Sequence, residues 1–335
     1  MTTYILRRLL ISIPTLLAIA FIIFGLLELS PGDPMAQVPL TVPDEVKQQM
    51  RIALGLDQPW YLRFFKWLYQ FFIVEPLVLI DWAFGTDYSE GLYRSISWQT
   101  RAPVMDLVIQ RVPQTLWVVG SAYIVGILIG LPLGIISAYY QYSIADNLGT
   151  FFSMIGFSIP TFFTGVLFIV IFSVWLDWLP SVFDTTLKVT DWDSFLGMLR
   201  QMIMPVMVLG LYNASQISRF MRASMLDNLH QDYVRTARAK GLGEWVVVMV
   251  HVLRNSMIPV VTVLALNVPQ VFGGAIITEQ VFRVNGLGQL LVTGISASDI
   301  PLVMTLTFIF AILIVIFNLI ADVLYGLLDP RIRYD

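Results

Sequence analysis

The residues best placed to do chemistry lie in one polar stretch, Asp232-Tyr-Val-Arg-Thr-Ala-Arg-Ala-Lys-Gly241, followed by Leu242, Gly243 and Glu244. Helix formers fill it, with Asp232 near its start, Lys240 in its last turn and Gly241 just beyond. That order complements the helix dipole and ends the helix. Tyr233 and Ala237 fall on one face at i, i+4, and Arg235 and Arg238 on another at i, i+3. A small-residue helix with an aromatic knob and basic flanks suits a groove on a partner protein. A solvated basic loop is the plainer reading; it accounts for the charge but not for the caps or for the Ala, Thr and Gly spacing. A second set is Asn267 and Gln270, one turn apart around Pro269, whose amides suit a passage for polar solutes, although amides also serve interhelical contact. Catalysis has no comparable set. There is no cysteine, and the two histidines, His230 and His251, lie 21 residues apart in the basic segment. Thiolate sites and disulfides are thereby excluded and a histidine-rich metal centre is disfavoured. None of the lysines (Lys47, Lys66, Lys188, Lys240) follows a glycine, so no Walker A loop is present, and no carboxylate pair or Ser-His-Asp arrangement can be assembled.

The elements that must position these residues belong in a bilayer. The chain has 335 residues, 57% hydrophobic and 13% charged, with a mean hydropathy of +0.76. A soluble domain runs at roughly 45–50% apolar and about 25% charged. A net charge of −3 and a pI near 5.4 also argue against nucleic-acid binding. Six stretches are long enough to cross as helices: roughly Leu9–Leu29, Gln114–Tyr139, Leu148–Leu176, Met202–Ser218, Met257–Thr278 and Leu302–Ala321. The first follows Arg7 and Arg8 but exceeds a signal-peptide core and ends in Glu28-Leu29-Ser30-Pro31 without a small-x-small cleavage site, so it reads as a retained anchor. No ionisable residue occupies a span midpoint, so uphill transport would draw its energy from another subunit.

Lysine and arginine in the loops set the orientation. Arg219, Arg222, Arg235, Arg238, Lys240 and Arg254 mark the segment 219–254 as cytoplasmic, and Asp177, Asp184, Asp191 and Asp193 mark 177–200 as external. With Arg7, Arg8, Arg331 and Arg333, both termini face the cytoplasm. The loop Gln141–Asn147 should lie inside, yet has no basic residue. Phe64–Ile80 is apolar but carries Lys66, Glu75 and Pro76, and its aromatics fit an interfacial or external helix better than a seventh span. The expected division is therefore 1–30, cytoplasmic N-terminus and first transmembrane helix; 31–112, extracytoplasmic insert; and 113–335, a five-helix transmembrane core with a cytoplasmic loop at 219–256. Within the insert, a helix should open at Asp44-Glu45 and stop at Gly55, a second should run from Pro59 to Phe72, and 81–103 should be loop.

Tyr4-Ile-Leu-Arg-Arg-Leu-Leu, Ile13-Pro14-Thr15, Ser30-Pro-Gly-Asp-Pro34, Leu54-Gly-Leu-Asp-Gln-Pro59, Phe84-Gly-Thr86, Ser158-Ile-Pro-Thr161, Trp178-Leu-Pro180, Val281-Phe282, Gly286-Leu-Gly288 and Leu328-Asp-Pro-Arg-Ile-Arg333 occur in one order from end to end. In this the chain resembles the permease subunits of bacterial peptide-type ABC importers, the dipeptide, oligopeptide and nickel class. The family's EAA-type loop is represented by Arg235-Thr236-Ala237 and Gly241, which departs from a literal Glu-Ala-Ala. The segment Asp87–Gln99 is longer than is typical. The resemblance implies an all-α, six-helix fold of the type I ABC importer transmembrane domain, in the bacterial cytoplasmic membrane. It implies a second homologous permease, two cytoplasmic ATP-binding subunits carrying ATP and magnesium, and an extracytoplasmic solute-binding protein. This chain would itself bind no cofactor or metal and catalyse nothing. Asp232, Tyr233, Arg235, Thr236, Ala237, Arg238, Lys240 and Gly241 would couple to the ATPase, braced by Glu244. The cargo would be peptides or similar small solutes, with oligosaccharides or nickel complexes as the alternative within the class and a self-contained secondary transporter as the alternative outside it.

Overall fold

The computed structural model describes residues 2–29, 42–53 and 55–328, and their side chains apart from those at 2–5, 50, 53, 270–274 and 325–328. Ser30–Pro34, Leu54, Arg331, Arg333 and the side chain of Gln270 lie outside the described residues. In chain order the helices are α1 (Thr2–Glu28), α2 (Asp44–Ala53), α3 (Trp60–Tyr69), α4 (Glu75–Phe84), α5 (Val104–Tyr139), α6 (Ile144–Ser158), α7 (Thr161–Phe168), α8 (Trp192–Leu229), α9 (Asp232–Ala239), α10 (Glu244–Val246), α11 (Leu253–Phe282), α12 (Leu287–Ser296) and α13 (Ile300–Leu328). Wider π turns at Gln70–Val74, Ile169–Trp175 and Val247–Val252 join α3 to α4, extend α7, and join α10 to α11. Among the described residues the only β pairing is one isolated bridge, Ile96 to Pro103.

Among the described residues, six helical runs are long and apolar enough to cross a membrane: Leu6–Glu28, Trp60–Phe84, Val104–Tyr139, Trp192–Leu229, Glu244–Pro269 and Ile300–Leu324. This set differs from the expected one in two places. The third expected span, Leu148–Leu176, is broken: Ile144–Ser158 and Thr161–Trp175 meet at 101°. Pro160 has no N–H to continue α6, and Ile159 is extended (φ −85°, ψ 125°). In exchange, Trp60–Phe84 is one continuous run that passes the length and apolarity test. The expected second helix of the insert therefore continues twelve residues beyond Phe72, to Phe84. Glu75 does not interrupt it, because Arg94 neutralises the carboxylate at 2.8 Å.

The chain divides into two compact units, one comprising Met1–Leu9, Gln114–Gln289 and Ile314–Asp335, the other Leu10–Pro113 and Leu290–Leu313. In the second unit, Ala20 and Phe24 of α1, Phe64 and Trp67 of α3, and Met304 and Phe308 of α13 form one core. Trp67 Nε1 donates to Thr305 Oγ1 at 3.2 Å. The long segment Asp87–Gln99 is held here at several points, two of them through charged groups. Arg94 bridges Glu75 and Asp106 (2.8 and 2.7 Å), and Ser97 Oγ donates to the buried Asp299 carboxylate at 2.5 Å. Burial opposes the charge on Arg94, but its bonds to Glu75 and Asp106 outweigh this and raise its pKa.

The first unit is organised around α8. Gly126, Gly130 and Gly134 lie four residues apart on α5, and a Cβ on each would overlap α8: Asn213 at the first, Ala214 and Ile217 at the second, Ser218 and Met221 at the third. The stripe lets two backbones approach as no larger residue would. On another side of α8, Gly156 of α6 faces Ser215, and the Ser153 and Ser218 hydroxyls meet at 2.7 Å. The Gln141–Asn147 loop lacks a basic residue because Arg222 of α8 supplies one: its guanidinium grips Asp146 at 2.7 and 2.8 Å. Replacing Gly130 by leucine should push α5 from α8 and lower stability by roughly 1–3 kcal/mol or more. The measurement is the unfolding temperature in detergent, and an unchanged value would show the contact to be slack.

Candidate functional site

The polar stretch folds as expected into α9. Asp232 occupies its first turn, and the hinge is closed by a Schellman arrangement, in which Leu242 N donates to Ala237 O (3.3 Å) and Gly241 N to Arg238 O (2.9 Å). Gly241 takes φ +75°, the left-handed conformation this cap requires, with open space where a Cβ would stand. Gly243, in an ordinary conformation, then starts α10 by accepting from Val246 N and Val247 N. Arg238 spans the hinge with hydrogen bonds of 3.1 and 2.6 Å to Glu244. That contact raises the Arg238 pKa and ties the end of α9 to the start of α10.

The expected faces need correction. Tyr233 and Ala237 do not share an exposed face. Val234 and Ala237 are buried together against Met221 and Met225 of α8 and Val247, Val248 and Val252 of the π turn. Tyr233 turns outward and anchors itself through its hydroxyl, which donates to Asn228 Oδ1 at 2.8 Å. Asp232 and Arg235 form an exposed pair at 3.3 Å, Thr236 Oγ1 donates to the Asp232 carbonyl at 2.9 Å, and Lys240 is exposed at the hinge. Val234 is the residue that a 3.6-residue period would have found: with Ala237 it makes an i, i+3 inward stripe. Leu242, Trp245 and Val246 were not anticipated as site residues. They stand exposed beside the hinge, Trp245 at 74%. Their signal was an apolar cluster next to a glycine pair on a polar segment.

The chain beyond Gly243 does not form a separate short helix. From Glu244 the chain runs through α10 and the Val247–Val252 turn directly into α11. α9 is therefore joined to α8 at one end and α11 at the other through continuous backbone and one shared apolar core. The chemistry available is mechanical: an exposed ledge, held from behind by buried valines and joined to two membrane helices.

Asn267 lies on the wall of a cavity of about 460 Å³ beside the α6–α7 bend. Tyr123, Phe157, Ser158, Tyr212, Asn213 and Gln216 share that wall. Tyr123 donates its hydroxyl to the Leu264 carbonyl, which braces α5 against α11. At another place in the same unit, Glu279 of α11 is fully buried and accepts from Thr115 Oγ1 (2.8 Å), Gly288 N (2.7 Å) and Gln289 N (3.1 Å). A Cβ on Gly286 would overlap this carboxylate, which explains the glycine there. Glu279 falls one residue beyond the expected span Met257–Thr278. Among the described residues no cluster of three or more His, Asp or Glu could hold a metal.

A family model described as "Binding-protein-dependent transport system inner membrane component" matches residues 130–334, and a companion model for the N-terminal part of such components matches residues 1–119. The oligopeptide transport system permease protein AppB of Bacillus subtilis is 37% identical over 335 residues, covering 100% of both chains. The glutathione transport system permease protein GsiC of Salmonella typhimurium is also 37% identical over 335 residues, again covering 100% of both. A putative peptide transport system permease protein of Brucella abortus is 34% identical over 336 residues, covering 100% of both. Among solved structures, an inward-facing form of the MetNI methionine ABC transporter superposes with a TM-score of 0.54 at 18% identity, over 68% of this chain and 98% of that one. At that identity the likeness speaks for the fold alone.

Gly241→Val should strain the hinge by about 1–2 kcal/mol, whereas Gly243→Ala, in open space with ordinary φ, should be neutral. Unfolding temperatures of the two variants check this. Equal effects would remove the argument from the left-handed conformation.

Proposed function

The chain belongs to the family of binding-protein-dependent transport system inner membrane components, and from that premise we propose that it is the permease subunit of an ATP-driven importer of peptides or similar small solutes. Full-length likeness to oligopeptide, glutathione and peptide permeases supports the cargo class. The observation that carries the mechanism is the α9 ledge, with Val234 and Ala237 buried behind it and Tyr233, Arg235 and Lys240 exposed in front.

In this reading the ledge seats in a cleft of a cytoplasmic ATPase subunit. Tyr233, Arg235, Lys240 and the apolar group Leu242, Trp245 and Val246 make the contact. Ala237, Arg238, Gly241 and Glu244 hold its shape, with Asp232 in its first turn and Thr236 bonded to the Asp232 carbonyl. A second homologous permease completes the translocation path, ATP and magnesium reside on the two ATPase subunits, and a solute-binding protein delivers cargo from outside. ATP binding favours the closed ATPase pair and moves the ledge as a rigid body, shifting the permease between two states by its differential affinity for them. Both termini and the ledge face the cytoplasm. Residues 31–112 lie on the extracytoplasmic side, with the Trp60–Phe84 helix held there or at the interface, and 113–335 form the five-helix core.

The test is a purified complex of both permeases, both ATPases and the binding protein in liposomes. Replacing Tyr233, Arg235 and Trp245 together by alanine should cut ATPase stimulation by loaded binding protein at least about tenfold, since exposed aromatic and arginine side chains dominate such contacts. Full stimulation in that variant, or peptide accumulation by the permease without nucleotide, would overturn the reading.

A further inference from the structure

Asn213, on the wall of the cavity beside the α6–α7 bend, carries an unmet hydrogen-bond donor. Asn213 is 7% exposed, and its Nδ2 is buried with no partner. A buried amide N–H left without an acceptor is costly, so a side chain kept in that state points to an acceptor that arrives from elsewhere. The surrounding wall is aromatic and amide in character: Tyr123, Phe157, Tyr212, Gln216 and Asn267. Its volume, about 460 Å³, is that of a small-molecule site.

Just beyond the cavity stands a cation without a counterion. Tyr212, Gln216 and Arg219 follow at i, i+4 and i+7 along one face of α8. The Arg219 guanidinium carbon lies 4.0 Å from the centre of the Phe157 ring, and Phe157 in turn stacks on Tyr212 with centroids 6.3 Å apart. No carboxylate among the described residues pairs with Arg219, and its Nε is buried without a partner. A ring holds a guanidinium by its flat face and leaves the in-plane N–H donors free for an anion. Asn213 and Arg219 are six residues apart, or about 9 Å along the helix axis. An extended peptide covers about 9 Å in two to three residues.

Resting on the permease reading above, we propose that this cavity is a peptide-binding subsite of the translocation path, in which Asn213 donates to a main-chain carbonyl and Arg219 receives the terminal carboxylate. The permease then selects for a free C-terminus independently of the solute-binding protein, and the carboxylate end leads toward the α9 side of the molecule. The aromatic and amide walls tolerate many side chains, as a path for varied peptides must.

The experiment uses the complete complex of permeases and ATPases in lipid nanodiscs, without the binding protein. It is dialysed against a defined mixture of tripeptides and, separately, against the same mixture as C-terminal amides. Peptide retained per assembled complex, measured by mass spectrometry, should favour the free acids about tenfold, the worth of a charge-assisted contact. Arg219→Gln should abolish that preference and Arg219→Lys should keep most of it. Asn213→Ala should lower retention of acids and amides alike. Equal retention of acids and amides, no retention, or a preference that survives Arg219→Gln overturns the subsite. ATPase stimulation by loaded binding protein, measured on the same unmodified complex, tests the importer reading separately. Stimulation without acid preference overturns the subsite alone, and absence of stimulation overturns both.

Discussion

Inside a bilayer no water is on hand to satisfy a backbone N–H or C=O, and that constraint governs the rest of this structure. It makes every candidate crossing helical and keeps even its irregularities hydrogen-bonded. The π turns at Gln70–Val74, Ile169–Trp175 and Val247–Val252 widen the helix without breaking it. At the sharp break, Ile159-Pro160, the Pro160 carbonyl is met by Phe163 N and Thr164 N at 3.0 and 3.1 Å. It also borders a cavity, the setting in which non-helical backbone is tolerated at membrane depth.

With main-chain bonding satisfied within each helix, association between helices depends on close approach. In the first unit α8 is the common partner. Glycines 126, 130 and 134 of α5 meet one side, Gly156 and Ser153 of α6 another, and Met221 and Met225 carry the core of the α9 ledge. At the glycine and serine contacts no long side chain separates the backbones. The same helix presents Tyr212, Asn213 and Gln216 to the cavity. On the proposed function, the helix that feels the ATPase is also the helix that lines the passage.

Charge in this chain is scarce, and the buried carboxylates among the described residues are each met. Glu75 and Asp106 share Arg94, Asp146 is held by Arg222, Asp299 by Ser97, and Glu279 by Thr115 and two backbone amides. A buried carboxylate without such partners would be strongly destabilising. Arg219 stands out against that background because its neighbour is an aromatic face.

Local order in the sequence was enough to determine the all-helical membrane class, the extent of α9, the cap at Gly241 and the helix opening at Asp44-Glu45, because apolar runs, dipole-matched charges and left-handed glycines act within a few residues. It also carried the glycine stripe 126, 130, 134 in plain view, although nothing local said which helix would meet it. Tertiary structure alone decided that Ala237 turns inward, that Glu75 survives within the long Trp60–Phe84 helix, that Arg222 serves a loop 76 residues earlier, and that Asn267 shares a cavity with Asn213. Each of those outcomes turns on a partner distant in the chain, because a charge or amide taken out of water must be met by the protein itself.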